Sequence, residues 1–268
     1  MKNYNIEKNI YSKDGRLLLA AGQEITESTL HRLKSIDYSK ASKIILSNEK
    51  KLYENDVLVS SKIIKLNLKS SSLEYYSRAS DRVAKILFDS KNQPWWIYIN
   101  TLSNYVDWLY THALNVSLMS IMIADAFNLE MLDEIALGAF LHDIGKLMIP
   151  KSIIQKPAKL SDEEMVFVKQ HCDLGVSMVS EYKLSKISLD IIGQHHEKLD
   201  GSGYPQGLQD TEIPVPSRIV MVADVIDAIT SYRPYKSNKS MKTAINELNR
   251  NPDKYPRDVI DIISTLLL

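Results

Sequence analysis

Histidine and aspartate side chains in the second half of the chain have the types and spacing that bind metal ions. His142 and Asp143 are adjacent in the apolar stretch 141–146, which we interpret as part of a helix. A buried charge needs a partner, and a metal cation is an economical one. The chain has only six histidines, and the surroundings of His31 indicate a solvated helix face. The other five are candidate ligands: His112, His142, His171, His195 and His196.

Length, composition and net charge argue against several classes of protein. With 268 residues and 44% hydrophobic content, the chain can bury one sizeable core and has room for a smaller second domain. The net charge of +0 argues against polymeric nucleic acid or an anionic membrane as partner. The single cysteine, Cys172, excludes an intramolecular disulfide, and the most apolar helix, 114–127, is too polar for a membrane span. We therefore expect a soluble, cytoplasmic protein.

Residues 1–55 predict a small α+β module. The stretches 9–12 and 16–20 flank Lys13-Asp14-Gly15 and have the form of a β-hairpin. Thr26 is a candidate cap for a helix that runs to residue 36, and 43–46 is a further strand candidate. The module has no motif that carries chemistry, so a regulatory or docking role is favoured over ligand sensing.

The rest of the chain predicts a mainly α protein. Residues 56–94 place apolar side chains at helical spacing and are interpreted as a helical linker. Residues 95–268 then predict an all-helical domain that contains the candidate ligands. Ser161 and Glu164 have the form of a capping box, which defines the start of the helix that carries His171. The predicted helices are 101–127, 131–147, 161–181, 184–195, 216–232 and 240–250.

Several sequence blocks resemble those of HD-GYP phosphodiesterases and occur in the same order along the chain. The resemblance covers the chain from about residue 102 to the C-terminus and is far more specific than a single His-Asp pair. It implies an HD-type metal-binding bundle that hydrolyses cyclic di-GMP in bacterial second-messenger signalling. The main blocks are His142-Asp143-Ile144-Gly145-Lys146, His195-His196-Glu197-Lys198-Leu199-Asp200-Gly201-Ser202-Gly203-Tyr204-Pro205, Ala223-Asp224-Val225-Ile226-Asp227-Ala228 and Arg233-Pro234-Tyr235.

The candidate ligands are expected to hold two divalent metal ions. Adjacent residues on a helix diverge by about 100°, so Asp143 satisfies the geometry if it bridges the two ions. Imidazole and carboxylate ligands without thiolate favour iron or manganese, with zinc also possible, and the resemblance implies iron or manganese. Glu197 and Asp200 are expected to orient the metal-bound histidines. The first ion is assigned to His112, His142 and Asp224, and the second to His171, His195 and His196, with Asp143 shared.

Hydrolysis of a phosphodiester is the chemistry that this centre predicts. Two close cations lower the pKa of a bridging water and present hydroxide to the phosphorus. Lys146 is expected to contact a nonbridging phosphate oxygen as charge develops. Arg233 and Lys236 are candidates for binding the phosphates of cyclic di-GMP, since arginine binds phosphate bidentately. Tyr204, in the Gly-Tyr-Pro loop (residues 201–205), either contacts the nucleotide or anchors the loop.

Trp108 departs from the pattern of the three-metal members of this family. It lies four residues before His112 on the same helix face, where those members carry a glutamate ligand. Indole cannot replace a carboxylate, so we predict a two-metal centre that linearises cyclic di-GMP to pGpG, with further cleavage to GMP less favoured. The alternatives are a weakly active sensor or adaptor, which engages a protein through the N-terminal module or the Gly-Tyr-Pro loop, and a hydrolase of another nucleotide. A homodimer is compatible with each.

Overall fold

The computed structural model describes residues 67–91, 93–231 and 239–268, together with Ile64 and four short strands near the N-terminus. The chain divides into two compact units, Met1–Asn55 and Asp56–Leu268. The second unit contains all the described helices, which confirms the mainly helical fold class.

The described strands of the first unit pair in two antiparallel ladders. β1 (Asn3–Asn5) pairs with β4 (Glu24–Thr26), and β2 (Ile10–Tyr11) pairs with β3 (Leu17–Leu19). The second ladder confirms the predicted hairpin. Thr26 ends β4, and the helix predicted after it lies outside the described residues, as do 43–46 and His31.

Eleven α-helices are described in the second unit. Four 3₁₀ turns lie before or between them, of which Ile144–Met148 matters most for the site. The helices are α1 (Leu73–Ser90), α2 (Trp96–Tyr105), α3 (Asp107–Ala126), α4 (Leu132–Leu141), α5 (Lys151–Ile154), α6 (Asp162–Lys169), α7 (His171–Val179), α8 (Lys186–Gln194), α9 (Val215–Thr230), α10 (Met241–Asn249) and α11 (Arg257–Leu267).

Helix α3 lies at the centre of this unit. Its residues from Ala113 to Ala124 are all buried, as expected for a helix that is apolar around most of its circumference. It packs against α1, α4 and α9, while α7 and α8 pack against each other beside the Ile144–Met148 turn. The helices that carry the candidate ligands are therefore packed around a common point.

Helix boundaries differ from the predictions where the backbone turns without a proline or glycine signal. The predicted helix 101–127 is two helices, because Val106 is extended with φ −144° and ψ 120°. The predicted helix 161–181 is broken at Gln170, although its capping box between Ser161 and Glu164 is confirmed. Helix α11 was not predicted, and its buried side chains recur at helical spacing: Val259, Ile260, Ile263, Leu266 and Leu267.

Candidate metal centre

Seven predicted ligands converge from five helices and the turns that follow them. His112 lies on α3 and Asp224 on α9, while His171 begins α7. The predicted helix 131–147 ends early: α4 stops at Leu141, so His142 and Asp143 lie in the turn that leads into the 3₁₀ helix and not inside a helix. His195 and His196 follow the last residue of α8.

A close approach between two backbones fixes the turn after Asp143. A Cβ atom on Gly145 would lie 1.9 Å from the carbonyl oxygen of His171 and 2.7 Å from the backbone nitrogen of Gly175. Only glycine allows this contact, so the His-Asp turn packs directly on α7. The packing brings the Asp143 carboxylate to the first turn of α7, where its Oδ1 lies 3.3 Å from His171 Nε2.

The potential ligand atoms form two groups. In each group the atoms lie within 4.8 Å of one another. The first group contains His112, His142 and Asp224. The second group contains Asp143, His171, His195 and His196.

Asp143 lies between the two groups and faces both. Its Oδ2 lies 3.6 Å from His112 Nε2 and 3.5 Å from His142 Nε2, in the first group. Its Oδ1 lies 3.3 Å from His171 Nε2 and 3.9 Å from His195 Nε2, in the second. One carboxylate oxygen therefore points to each group, which is the geometry that a bridging ligand requires.

Hydrogen bonds at Nδ1 orient the histidine rings. A carbonyl or carboxylate oxygen can only accept, so the imidazole Nδ1–H donates and Nε2 is left toward the cluster. In His112 the acceptor is a side chain, Asp227 Oδ2, at 2.6 Å. In three others it is a main-chain carbonyl: His142 to Ala139 at 2.6 Å, His171 to Val168 at 2.5 Å and His195 to Ile192 at 3.0 Å.

Several atoms that face the cluster have no hydrogen-bond partner among the described residues. They are His112 Nε2, His142 Nε2 and Asp143 Oδ1, all buried. His112 Nε2 lies 3.1 Å from Asp224 Oδ1 without the geometry of a hydrogen bond. Because buried polar atoms are rarely left unpaired, imidazole nitrogens and carboxylate oxygens placed in this way fit divalent metal ions.

Neighbouring charges and burial shift the pKa values of His112 and His171 in opposite directions. Burial disfavours a charged His112, but the Asp224 and Asp227 carboxylates outweigh it and raise the pKa of His112 to about 9. Burial and the Lys146 ammonium lower the pKa of His171 to about 4. Burial opposes the charged form of Asp143 as well, yet Lys146 and His142 hold the pKa of that carboxyl well below its usual range. Asp143 is therefore available as an anionic ligand at neutral pH.

Lys146 lies next to the shared carboxylate. Its Nζ donates to Asp143 Oδ2 at 2.5 Å, and 13% of its side chain is exposed. The ammonium thus lies at the edge of the cluster and not on the outer surface. A position beside the candidate metal ligands, with partial access to solvent, suits a cation that contacts a bound phosphate.

The loop that follows His196 is held by acidic side chains, which corrects one expectation. Buried Glu197 accepts hydrogen bonds from the backbone N–H groups of Gln206 and Leu208, at 2.7 and 3.0 Å. Asp200 accepts from the N–H and hydroxyl of Ser202. These hydrogen bonds are to residues 202–208 rather than to the ligand histidines, so the two carboxylates shape the Gly-Tyr-Pro loop and the residues that follow it.

Tyr204 brings the Gly-Tyr-Pro loop against the cluster. Its ring centroid lies 4.7 Å from that of His196 at an interplanar angle of 31°. Lys169 Nζ, at the end of α6, lies 5.3 Å from the Tyr204 centroid. These contacts place the Tyr204 ring at the edge of the cluster. Arg233 and Lys236 lie outside the described residues, so their roles stay predictions.

Two neighbours of His112 complete the description of this side of the centre. Half-buried Trp108 has its ring centroid 6.4 Å from that of His112, so an indole lies one turn before this candidate ligand. Asp227 was not predicted as a site residue, although it lies three residues after Asp224. That spacing places two aspartates on the same face of α9, and it is the signal that could have identified Asp227.

Comparison with known proteins identifies the family. A family model described as "HD domain" matches residues 97–259. The chain belongs to the HD domain family. The match begins in α2 and ends in α11, so this HD domain includes both ligand groups.

Relatives of the chain carry phosphodiesterase names. A protein from Thermotoga maritima named "Cyclic di-GMP phosphodiesterase" is 34% identical over 216 residues, which cover 78% of this chain and 56% of the relative. A protein from Vibrio cholerae serotype O1 named "3'3'-cGAMP-specific phosphodiesterase 1" is 41% identical over 124 residues, which cover 44% of this chain and 28% of the relative. The chain thus spans about half or less of these relatives. Their names confirm the resemblance inferred from the sequence.

A solved structure shows the same fold. The protein described as Bd1817, a HDG"Y"P protein from Bdellovibrio bacteriovorus, matches with a TM-score of 0.57 and 20% identity, over 97% of this chain and 94% of the other. At this identity the match supports the architecture alone. In the part of the chain that the structure describes, no helix is both long and apolar enough to cross a membrane.

Proposed function

We propose that this HD domain is a binuclear, metal-dependent phosphodiesterase that hydrolyses cyclic di-GMP to pGpG. The observation that carries the proposal is the position of Asp143 between two ligand groups, with one oxygen directed to each. Two nearby divalent cations are a recurrent arrangement for in-line displacement at phosphorus. The names of the curated relatives support a cyclic dinucleotide as substrate.

Each candidate ligand is assigned to one ion or, for Asp143, to both. His112, His142 and Asp224 would hold one ion, His171, His195 and His196 the other, and Asp143 both. Iron or manganese bound there would polarise the phosphate and supply a hydroxide at neutral pH.

Lys146 has the position to stabilise charge on the substrate. Its ammonium, which bonds to Asp143 Oδ2 in this structure, can turn toward a nonbridging phosphate oxygen as negative charge develops. The rigid turn at Gly145 keeps the lysine beside the cluster. Lys146 is therefore proposed to contribute to turnover and not to metal binding.

Trp108 supports a centre with two ions and a single cleavage. Its half-buried indole lies beside His112 and offers no carboxylate to a further ion. With two ions, we expect cleavage of one phosphodiester of cyclic di-GMP, which gives linear pGpG. Arg233, Lys236 and Tyr204 are proposed to bind the substrate, with Tyr204 acting at the edge that it shares with His196.

A second candidate substrate is 3'3'-cGAMP, because one relative is named for it at 41% identity. The two substrates differ in one base and not in the phosphodiester that is cleaved. The test is turnover of cyclic di-GMP, 3'3'-cGAMP and cyclic di-AMP by anaerobically purified protein, with products resolved and metal content measured on the same sample. Formation of pGpG as the preferred reaction supports the proposal. Bound metal without turnover of any cyclic dinucleotide contradicts it and favours a sensor or adaptor.

A further inference from the structure

The Asp227 carboxylate is fully engaged beside the first ligand group. Asp227 is 2% exposed, and its Oδ2 accepts from His112 Nδ1 at 2.6 Å. Its Oδ1 accepts from Asn115 Nδ2 at 2.8 Å and from the Ser231 hydroxyl at 2.6 Å. Two donors therefore hold one oxygen, and the other oxygen is directed at the histidine.

This arrangement fixes the tautomer that His112 adopts once it is neutral. A carboxylate is an acceptor only, so the one proton of the neutral imidazole must lie on Nδ1, and Nε2 loses its proton and offers its lone pair to a metal ion. An anionic acceptor also makes the imidazole a stronger ligand than a neutral carbonyl does. His142, in the first group, and His171 and His195, in the second, have main-chain carbonyls in this position.

We infer that Asp227 is a positioning residue that sets the metal affinity of the first ligand group and leaves that of the second unchanged. The inference rests on the two-ion centre under the proposed function. It goes beyond the proposed function because it names a residue that controls the affinity for only one of the two ions. His112 belongs to the first group, and the recorded Nδ1 acceptors of His171 and His195 are backbone atoms.

Substitution Asp227→Asn tests the inference with little change in volume. The asparagine amide has one acceptor, its oxygen, and one donor group, its NH₂. Asp227 instead offers two acceptor oxygens, one to His112 and the other to Asn115 and Ser231. Because Asn115 and Ser231 both donate to the same oxygen, the amide oxygen should take that place and present its NH₂ to His112. His112 Nδ1 must then accept a hydrogen bond from this NH₂, so the imidazole proton moves to Nε2. In that tautomer Nε2 can no longer bind metal. We expect the first-group affinity to fall by about 10–100-fold.

The readout is metal affinity, which does not depend on turnover. Metal-free protein is titrated with Mn²⁺ in competition with a chelator, for the wild type and for Asp227→Asn. The same pair is measured in a His142→Ala background, which retains an intact second group. Ser217→Ala is the matched control, because Ser217 is a buried polar residue on α9 that bonds to Gln194. Ser231→Ala is a milder variant, since it removes one of the two donors to Oδ1.

The outcomes separate the inference from the proposed function. Weaker binding of one ion in Asp227→Asn, a smaller effect in the same direction in Ser231→Ala, and no change in the His142→Ala background support the inference. Unchanged affinities in both Asp227→Asn and Ser231→Ala overturn it, and so does an equal loss in the His142→Ala background. If the wild type binds two ions but cleaves no cyclic dinucleotide, the proposed function fails, while the affinities still decide the role of Asp227.

Discussion

The two ligand groups differ in one support, because among the described residues only the first group has a histidine that is held by a side chain. In the first group, His142 is held by the main-chain carbonyl of Ala139, but His112 is held by the side chain of Asp227, which in turn is held by Asn115 and Ser231. In the second group, His171 and His195 are held by main-chain carbonyls at helix ends. A support made of side chains can be altered by a single substitution, whereas one made of backbone changes only when a helix moves. The two ions should therefore respond to different kinds of mutation.

Removal of the shared ligand should have the largest effect, because it affects both groups. Asp143→Ala is expected to reduce the metal content from about two ions per chain to well below one, with loss of activity. Elemental analysis of the purified variant, combined with a turnover assay, measures both. Retention of the full metal content would contradict the bridging assignment.

Lys146→Ala should abolish most of the turnover without disturbing either group. We expect kcat to fall roughly 10²–10³-fold, because a charge that stabilises the transition state is lost, while the metal content stays unchanged. Lys159→Ala, on an exposed lysine elsewhere in the domain, is the control. A variant with wild-type kcat would exclude an electrostatic role for Lys146.

Gly145→Ala should damage the backbone support and so affect the second group more than the first. The new Cβ would meet the carbonyl oxygen of His171 at 1.9 Å, so α7 must move and take His171 with it. We expect a loss of about 1–3 kcal/mol in unfolding free energy and a preferential loss of one ion. Gly193→Ala is the control, since its Cβ would meet only Val176 Cγ2, at 3.3 Å. Equal loss of both ions, or none, would contradict the prediction.

The two groups should also differ in how their metal affinity depends on pH. His112, with a pKa of about 9, is protonated at pH 7 and must release a proton when metal binds. His171, with a pKa of about 4, is already neutral. Between pH 7 and pH 9 the first-group affinity should rise about tenfold per unit, and the second-group affinity should change much less. Chelator competition with His171→Ala, which keeps the first group, and His142→Ala, which keeps the second, measures both slopes. Equal slopes would contradict this account.

The candidate ligands that the structure brings together were accessible from the sequence because histidines are few and the two aspartates lie in blocks that resemble a known family. Apolar periodicity identified most of the helical domain, including the helices that carry His112, His171 and Asp224. Periodicity does not show where a helix ends without a proline or glycine signal, so the stop at Leu141 and the break at Val106 were missed. The turn that carries Asp143 depends on contact with α7, a tertiary feature that no local pattern contains.

The supporting carboxylates were harder to predict than the ligands. Asp227 and Glu197 are both buried acids near ligands, but one bonds to a histidine and the other to the amides of a loop. Only the three-dimensional arrangement separates these roles, because Glu197 follows His196 directly while Asp227 is 115 residues from His112 in the chain. Proximity in sequence to a ligand was therefore a poor guide to which acid orients it.

The most direct test of the central claim is anomalous diffraction from crystals of the metal-loaded protein. The account predicts two anomalous peaks, one within reach of His112, His142 and Asp224 and the other within reach of His171, His195 and His196. The Asp143 carboxylate should lie between them, with one oxygen directed to each. A single peak, or two peaks of which only one contacts Asp143, would contradict the binuclear centre.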